Sequence, residues 1–226
     1  MAACTNCKKS PPAVSLKNCA KCSCTPYCSR DCQKADWKKH KTICGKQDPS
    51  ERVNSQATSH RSRPLSASDA LDAPVRNPFT RLDNGTWLHG RPEKDVFRLL
   101  VDVYRMRMED SYKFDGDADT DSIYGGASDG SRGFSRFLNK VETQKRALLP
   151  PWWDDKKKAE CIRFGQGGDS WARLDCAVEK SDIVEHYNDP QFPMQLRMFG
   201  EAVYGRGPGG SDGTAMRKML ASMESG

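Results

Sequence analysis

The sequence contains no long apolar run and almost no cysteine beyond residue 44. No stretch approaches 18 consecutive apolar residues, so a membrane-spanning helix is not expected. Only two of the ten cysteines follow residue 44, whereas a secreted scaffold held by disulfides spreads its cysteines through the fold. Cys4 lies so close to the first residue that a secretory signal ahead of it is not expected. These absences predict a nuclear or cytoplasmic protein that makes no contact with a membrane.

Positive charge is concentrated in the first part of the chain. The 226 residues include 36 basic and 30 acidic side chains, a formal net charge of +6. Residues 1–46 hold ten Lys or Arg and two Asp, whereas the remaining 180 residues hold 26 basic and 28 acidic side chains. A positive segment of this kind favours attraction to acidic partners or to nucleic acid.

Eight thiol and imidazole groups lie at metal-binding spacings in this basic segment. They form C-x2-C, a second C-x2-C and then C-x3-C-x7-H-x3-C, and they are Cys4, Cys7, Cys19, Cys22, Cys28, Cys32, His40 and Cys44. Structural zinc takes four such ligands in a tetrahedron, so eight ligands predict two zinc ions per chain in sites closed to water. Cys32 and His40 are about 12 Å apart along a helix, so the two must serve different sites.

Two pairings of these ligands fit the spacing. In the sequential pairing, the first four ligands along the chain bind one zinc and the last four bind the other. In the interleaved pairing, the first and third pairs share one zinc, and the second and fourth pairs share the other. Spacing alone leaves both pairings open.

The segment resembles a MYND zinc finger. The resemblance rests on the string YCSRDCQKADWKKHKTIC over residues 27–44 and on the two C-x2-C pairs that precede it. MYND fingers cross-brace their two zinc ions, so the resemblance implies the interleaved pairing. One zinc would be bound by Cys4, Cys7, Cys28 and Cys32, and the other by Cys19, Cys22, His40 and Cys44. Cys24 is an extra thiol that matches no ligand position of the finger.

The resemblance also implies a function in protein binding. In MYND fingers, the positions equivalent to Gln33 and Trp37 line a shallow groove that takes proline-rich peptides, often of the Pro-x-Leu-x-Pro kind. Because such peptides are already extended, an aromatic groove can bind them at a low ordering cost. The implied function is a zinc-dependent adaptor with a proline-rich partner, in transcriptional regulation as for many MYND proteins. The structural alternative is that Trp37 only packs the helix onto the preceding hairpin.

Nucleic-acid binding is an alternative function. A basic helix face is formed by Lys34, Lys38, Lys39 and Lys41. Such a face attracts phosphates, but charge alone carries no readout of base sequence, and a solvated face is the favoured interpretation.

An enzyme is not expected, although an undetected one in the helical domain stays a third hypothesis. Lysine methyltransferases that contain a MYND finger carry SET sequence on both sides of it, and no such sequence is found here. Cys161, Cys176 and His186 could be imagined as a nucleophile and a base, but the spacing of these residues does not select them. The acidic loop over 115–126 begins like a calcium loop but lacks the glycine at position six and the glutamate at position twelve.

Composition divides the chain into four parts. A zinc finger with a short hairpin and a helix is expected over 1–45, a disordered linker over 46–77, a mostly α-helical domain over 78–210 and a C-terminal tail over 211–226. The linker holds six Ser, three Pro and no aromatic residue, so it cannot bury enough apolar area to offset its chain entropy.

Apolar spacing predicts five or six helices in the helical domain. They are expected over about 93–112 and 134–148, from Pro151 to near Gly165, after caps at Asp169 and at Ser181 or Asp182, and from Pro193 to Gly205. A terminal helix over 214–223 is a further expectation. The stretches 149–153 and 193–200 resemble the second half of uncharacterised fungal proteins that contain a MYND finger. That resemblance implies an architecture and no activity.

Overall fold

The structure is a computed structural model that describes residues 3–14, 16–18, 25–40, 71–117 and 119–224. The chain divides into two units, Met1–Ser62 and Arg63–Gly226, called here the finger unit and the helical unit. Most of the predicted linker lies outside the described residues, and so do Cys19, Cys22, Cys24 and Cys44. None of the described helices is long and apolar enough to cross a bilayer.

One antiparallel strand pair and one helix make up the described part of the finger unit. They are β1 (Lys17–Asn18), β2 (Pro26–Tyr27) and α1 (Arg30–His40). The Oγ of Ser29 accepts a hydrogen bond from the Cys32 amide at 3.2 Å, so Ser29 caps the N-terminus of α1. Tyr27 Oη donates to Asp36 Oδ2 at 2.7 Å and so ties β2 to the middle of α1.

Seven α-helices form the described part of the helical unit. They are α2 (Pro78–Asn84), α3 (Glu93–Asp110), α4 (Ser131–Glu142), α5 (Asp155–Arg163), α6 (Lys180–Tyr187), α7 (Phe192–Tyr204) and α8 (Thr214–Glu224). Short 3-10 turns occur at Ile123–Gly125 and Pro208–Gly210, and π-helical turns at Ser111–Asp115 and Phe164–Gly168. The prediction of a largely helical region after the finger is confirmed.

The long helix α3 is the centre of the helical unit. Its apolar residues Val96, Leu100 and Val103 are at most 1% exposed, in agreement with the helix that apolar spacing predicts over about 93–112. Burial is not limited to the apolar residues, because Asp95 and Asp102 are 0% exposed. Buried carboxylates cost free energy unless they are paired and hydrogen-bonded, so the elements around α3 must supply polar partners.

The prediction of a helix after Asp169 is wrong. Residues 169–178 form a loop, in which Asp169 Oδ1 accepts hydrogen bonds from the amides of Trp171 at 2.8 Å and Ala172 at 3.1 Å. An aspartate carboxylate can bond to nearby amides in a turn as well as at a helix cap, and here the turn is formed. Two predicted bounds also differ, since α4 ends at Glu142 and α5 begins only at Asp155.

The core of the helical unit extends before residue 78. Leu71 is 6% exposed and belongs to this core. The amides of Asp72 and Ala73 both donate to the Asp95 carboxylate, each at 2.9 Å. These bonds give one buried carboxylate of α3 its partners, and they come from residues that composition assigned to the linker.

The core also extends beyond residue 210, because α8 packs along α2. The Glu224 carboxylate accepts hydrogen bonds from the amides of Phe79 at 3.0 Å and Thr80 at 2.7 Å, in the first turn of α2. A negative charge is favourable at a helix N-terminus, so this contact stabilises both helices.

Gly133 in α4 lies against the hydroxyl of Tyr104 in α3. A Cβ on Gly133 would collide with Tyr104 Oη and would lie 3.1 Å from the carbonyl oxygen of Asp121. We expect Gly133→Ala to lower the free energy of unfolding of the helical unit by about 1–3 kcal/mol, the usual cost of overpacking. Urea unfolding followed by circular dichroism measures the change.

Two variants control for this clash. Tyr104 is 2% exposed and its Oη has no hydrogen-bond partner within the described ranges, so Tyr104→Phe should restore most of the lost stability at little cost of its own. Gly200→Ala in α7 is the matched glycine, because its Cβ would meet only Val103 Cγ1, at 3.8 Å. That variant should gain about 0.5–1 kcal/mol from the better helix former. An equal loss from Gly133→Ala with and without Tyr104→Phe would contradict the clash.

Candidate metal centre

A tight turn brings Cys4 and Cys7 together in the finger unit. The Lys8 amide donates to the Cys4 carbonyl at 2.8 Å, and Lys8 closes the turn with a φ of 63°. The amide and the Oγ1 of Thr5 both donate to the Pro26 carbonyl, at 2.9 and 3.0 Å. The turn is therefore fastened to β2, the strand that leads into the next two cysteines.

Four sulfur atoms meet between this turn and the start of α1. Their Sγ atoms all lie within 4.8 Å of one another, and they belong to Cys4, Cys7, Cys28 and Cys32. The Sγ of Cys28 is 3.4 Å from that of Cys7 and 3.5 Å from that of Cys32. Zn–S bonds of 2.3 Å in a tetrahedron place sulfurs about 3.8 Å apart, so the donor set fits one zinc ion in both chemistry and spacing.

The pKa values of three of these thiols are shifted, one upward and two downward. Hydrogen bonds with Cys7 and with Cys32, together with burial, raise the pKa of Cys28 to about 12. Burial acts to raise the pKa of Cys4, but backbone amides of Cys7 and Cys28 outweigh it and lower that pKa to about 6. A hydrogen bond with the Asn6 side chain makes the largest contribution to lowering the pKa of Cys32. Thiolates this close repel one another, so a central cation is what allows all four to ionise.

His40, the last residue of α1, is the one member of the second predicted ligand set within the described residues. It is 2% exposed. Its ring meets Tyr27 edge-on at a centroid distance of 5.8 Å and lies 5.9 Å from the ring of Trp37. Its Nδ1 is 3.3 Å from Thr25 Oγ1. The imidazole is therefore a buried polar group with a defined orientation.

Gln33 and Trp37 lie four residues apart on α1, and both are partly exposed. Trp37 packs against a small buried cluster formed by Cys4 and Tyr27, and Cys28 and Cys32 pack against the same cluster. The structural alternative for Trp37 is therefore correct in part, because the indole does hold α1 against the strand and the ligand turn. Its remaining exposed surface lies on the same helix face as Gln33.

The nucleophile and base candidates of the helical unit have the properties of packing groups. Burial raises the pKa of Cys161 well above its ordinary value and that of Cys176 to about 11. Burial lowers the pKa of His186 to about 4, and its ring is stacked on Trp171 at 3.8 Å between centroids. Near neutral pH the two thiols are protonated and the imidazole is uncharged, which is unfavourable for a thiolate nucleophile.

Two carboxylates of the acidic loop over 115–126 pair with an arginine of α4. Arg136 Nη2 donates to Asp119 Oδ1 at 2.7 Å, and Arg136 Nη1 also contacts Asp121. An arginine side chain therefore neutralises part of the negative charge of this loop.

Sequence reasoning missed three residues that support the metal centre: Thr5, Asn6 and Thr25. Each is a short polar residue close to a ligand in the sequence, where its side chain can bond to the strand, to a thiolate or to the imidazole. Proximity to the ligands is a signal that could have found them, because metal sites need partners around the first ligands.

Residues 4–44 match the family model of the MYND finger. The match spans 41 of the 226 residues and contains all eight predicted ligand positions. No curated protein and no solved structure matches the chain. The finger unit therefore contains a MYND zinc finger, a module known for protein–protein interaction. The resemblance of the helical unit to fungal proteins stays a prediction.

Proposed function

We propose that the protein is a zinc-dependent adaptor whose finger binds a proline-rich segment of a partner protein in transcriptional regulation. The observation that carries the proposal is the four-sulfur cluster inside a segment that matches the MYND finger. Four thiolates on one zinc leave no position for water, which favours a structural ion over a catalytic one. A closed metal site acts through the surface that it stabilises.

The proposal includes two zinc ions in the interleaved arrangement. It assigns Cys4, Cys7, Cys28 and Cys32 to the first ion, and Cys19, Cys22, His40 and Cys44 to the second. Support for the first set is the 3.4 Å distance between Cys7 Sγ and Cys28 Sγ, because the sequential pairing would assign those two sulfurs to different ions. Zinc would supply rigidity to a unit that is too small to fold around an apolar core.

The binding surface in this proposal is the face of α1 that carries Gln33 and Trp37. The indole offers a flat apolar face against which proline rings can pack, and the Gln33 amide can both donate and accept hydrogen bonds with the peptide backbone. Contact between Trp37 and the buried cluster beside the ligands limits the motion of the ring, so little entropy is lost when a peptide binds.

We expect Trp37→Ala to weaken binding of a fluorescent Pro-x-Leu-x-Pro peptide about 30-fold or more. A loss of about 2 kcal/mol is typical of a central aromatic residue in an interface. Fluorescence anisotropy with the full-length, zinc-loaded protein measures the affinity, and a peptide with both prolines replaced by alanine tests the specificity.

Two further variants separate binding from folding. Because Trp37 also packs inside the finger, Gln33→Ala changes the same face with less disturbance, and we expect it to weaken binding as well. Lys39→Ala is the matched control, an exposed position on the same helix outside the proposed surface. Zinc content is measured for every variant. Unchanged affinity in zinc-loaded Trp37→Ala and Gln33→Ala, or no binding by the wild-type protein, would remove the peptide-binding proposal.

We further infer that the helical unit has a binding or scaffolding role and no catalytic one. The raised thiol pKa values of Cys161 and Cys176 and the stacked, uncharged imidazole of His186 support this inference. Nucleic-acid binding through the basic finger stays an alternative prediction. It would be supported by affinity for DNA or RNA that falls steeply as salt concentration rises.

A further inference from the structure

Arg91 is a buried arginine in the connection between α2 and α3. The residue is 6% exposed. Its Nε donates to the Trp87 carbonyl at 2.7 Å, whereas its buried Nη2 meets no acceptor in the described parts of the chain. A guanidinium keeps its charge when it is buried, so an unused donor there costs free energy that a bound acceptor would recover.

A second arginine, Arg81 of α2, is held at the same connection. Its Nη1 donates to the His89 carbonyl at 3.1 Å, and its Nη2 is 3.8 Å from the point that a Cβ on Gly90 would occupy. Arg81 is half-buried and Gly90 is exposed, so the Arg81 guanidinium lies where the connection meets solvent. One arginine is therefore inside the helical unit and the other is at its surface.

The positive charges of these two arginines act on each other. Burial, and after it repulsion by Arg81, lower the pKa of Arg91 to about 10. Attraction by Asp95 opposes this shift with a smaller effect, and the Asp95 carboxylate already accepts the amides of Asp72 and Ala73. A water molecule can accept a hydrogen bond from Nη2 but cannot offset the repulsion between two cations, whereas an anion does both.

We propose that Arg91 and Arg81 form a binding site for a phosphate group, with Arg91 at its base and Arg81 at its rim. A guanidinium matches the oxygens of phosphate in planar two-bond contacts, and such charge-assisted hydrogen bonds are strong. Two positive charges fit a phosphate dianion better than the single charge of a carboxylate. The inference deepens the binding role proposed above for the helical unit and does not depend on the finger.

Arginine side-chain 1H–15N spectra of the zinc-loaded, full-length protein test the site directly. Inorganic phosphate is titrated at constant ionic strength, with acetate in a parallel titration, and single substitutions identify the signals. We expect the Nε–H signals of Arg91 and Arg81 to move with phosphate and to saturate, whereas the signal of Arg132, whose side chain is 83% exposed, should stay in place. Absence of a saturable change would overturn the inference, and tighter binding of acetate would overturn the choice of phosphate.

Three variants test the contribution of each arginine to phosphate affinity, measured by calorimetric titration. We expect Arg91→Met and Arg81→Gln each to weaken phosphate binding about 10-fold or more, the usual effect of losing a hydrogen bond to a charged group. Arg81→Gln changes a half-buried position and keeps the test valid if Arg91→Met does not fold. Arg132→Gln is the matched control and should bind phosphate as the wild type does. Equal affinity in all four proteins would contradict the site.

A short phosphoserine peptide distinguishes the two sources of the phosphate group. Tighter binding of this peptide than of inorganic phosphate would identify a phosphorylated partner, and weaker binding would identify a free phosphate ion. Failure of the inference is distinguishable from failure of the proposed function, because zinc content and Pro-x-Leu-x-Pro binding are measured on the same variants. Loss of the phosphate site alone overturns this inference, and loss of peptide binding alone overturns the proposed function of the finger.

Discussion

Replacing Cys28 with serine is expected to unfold the finger unit and to leave the helical unit folded. The Cys28 sulfur lies 3.4 Å from that of Cys7 and 3.5 Å from that of Cys32, so it is a central member of the cluster. Within the described part of the finger unit, the buried apolar cluster consists of Cys4 and Tyr27. Structural zinc contributes about 10–16 kcal/mol in small fingers, which such a cluster cannot replace.

Zinc content and hydrogen exchange measured on the full-length protein check this expectation. Cys28→Ser should lose at least one zinc per chain, and the amides of α1 should lose their protection, whereas the amides of α3 should keep theirs because that helix has its own core. Cys176→Ser, a partly buried cysteine outside the cluster, is the matched control and should keep the zinc content of the wild type. Protection of α1 that survives in zinc-free Cys28→Ser would show that the finger folds without its metal.

Replacing Asp102 with alanine is expected to destabilise the helical unit by about 3–5 kcal/mol, the usual cost of leaving a buried charge without its partner. Asp102 Oδ1 accepts from Arg105 Nε at 3.1 Å and from Arg105 Nη2 at 2.5 Å. Its Oδ2 accepts from Trp171 Nε1 at 2.8 Å and from Tyr187 Oη at 2.6 Å. Since Asp102 is 0% and Arg105 4% exposed, water cannot take over these bonds.

Urea unfolding of the full-length protein, followed by circular dichroism, measures the loss. Asp175→Ala is the matched control, because the ion pair of Asp175 with Arg173 is about two-fifths exposed and should contribute less than about 1 kcal/mol. A second comparison replaces both Asp102 and Arg105 with leucine and methionine. That pair should recover part of the stability, because no unpaired buried charge is left. A loss below about 1 kcal/mol in Asp102→Ala would contradict the importance of this network.

The finger was the more predictable part of the chain. Ligand spacing carries the chemistry of zinc in a short stretch, and the cap at Ser29 and the start of α1 follow from neighbouring residues. The four-sulfur cluster consists of the four cysteine ligands that the resemblance to MYND fingers implies for one zinc ion. Spacing alone could not choose between the two pairings, because that choice depends on how the ligand turn lies against β2.

The sequence predicted that the helical unit consists of helices, but it predicted the first and last residues of those helices less accurately. Apolar spacing identified α3, but it gave no indication that Asp95 and Asp102 in the same helix are buried. The loop after Asp169 shows the same limit, because one carboxylate can cap a helix or close a turn with nearly equal local bonding. Tertiary packing over α3 decides between these outcomes.

The sequence by itself determined the zinc chemistry, the MYND finger, the position of α1 and the helical character of the remainder. These features depend on residues within a few turns of one another. Only the tertiary structure decided the partners of the buried polar groups: Asp102 receives hydrogen bonds from residues 69 and 85 positions away, and His40 meets Thr25 across 15 positions. Such contacts are not encoded by local spacing, because burial makes each polar group dependent on a partner that only the folded chain can place beside it.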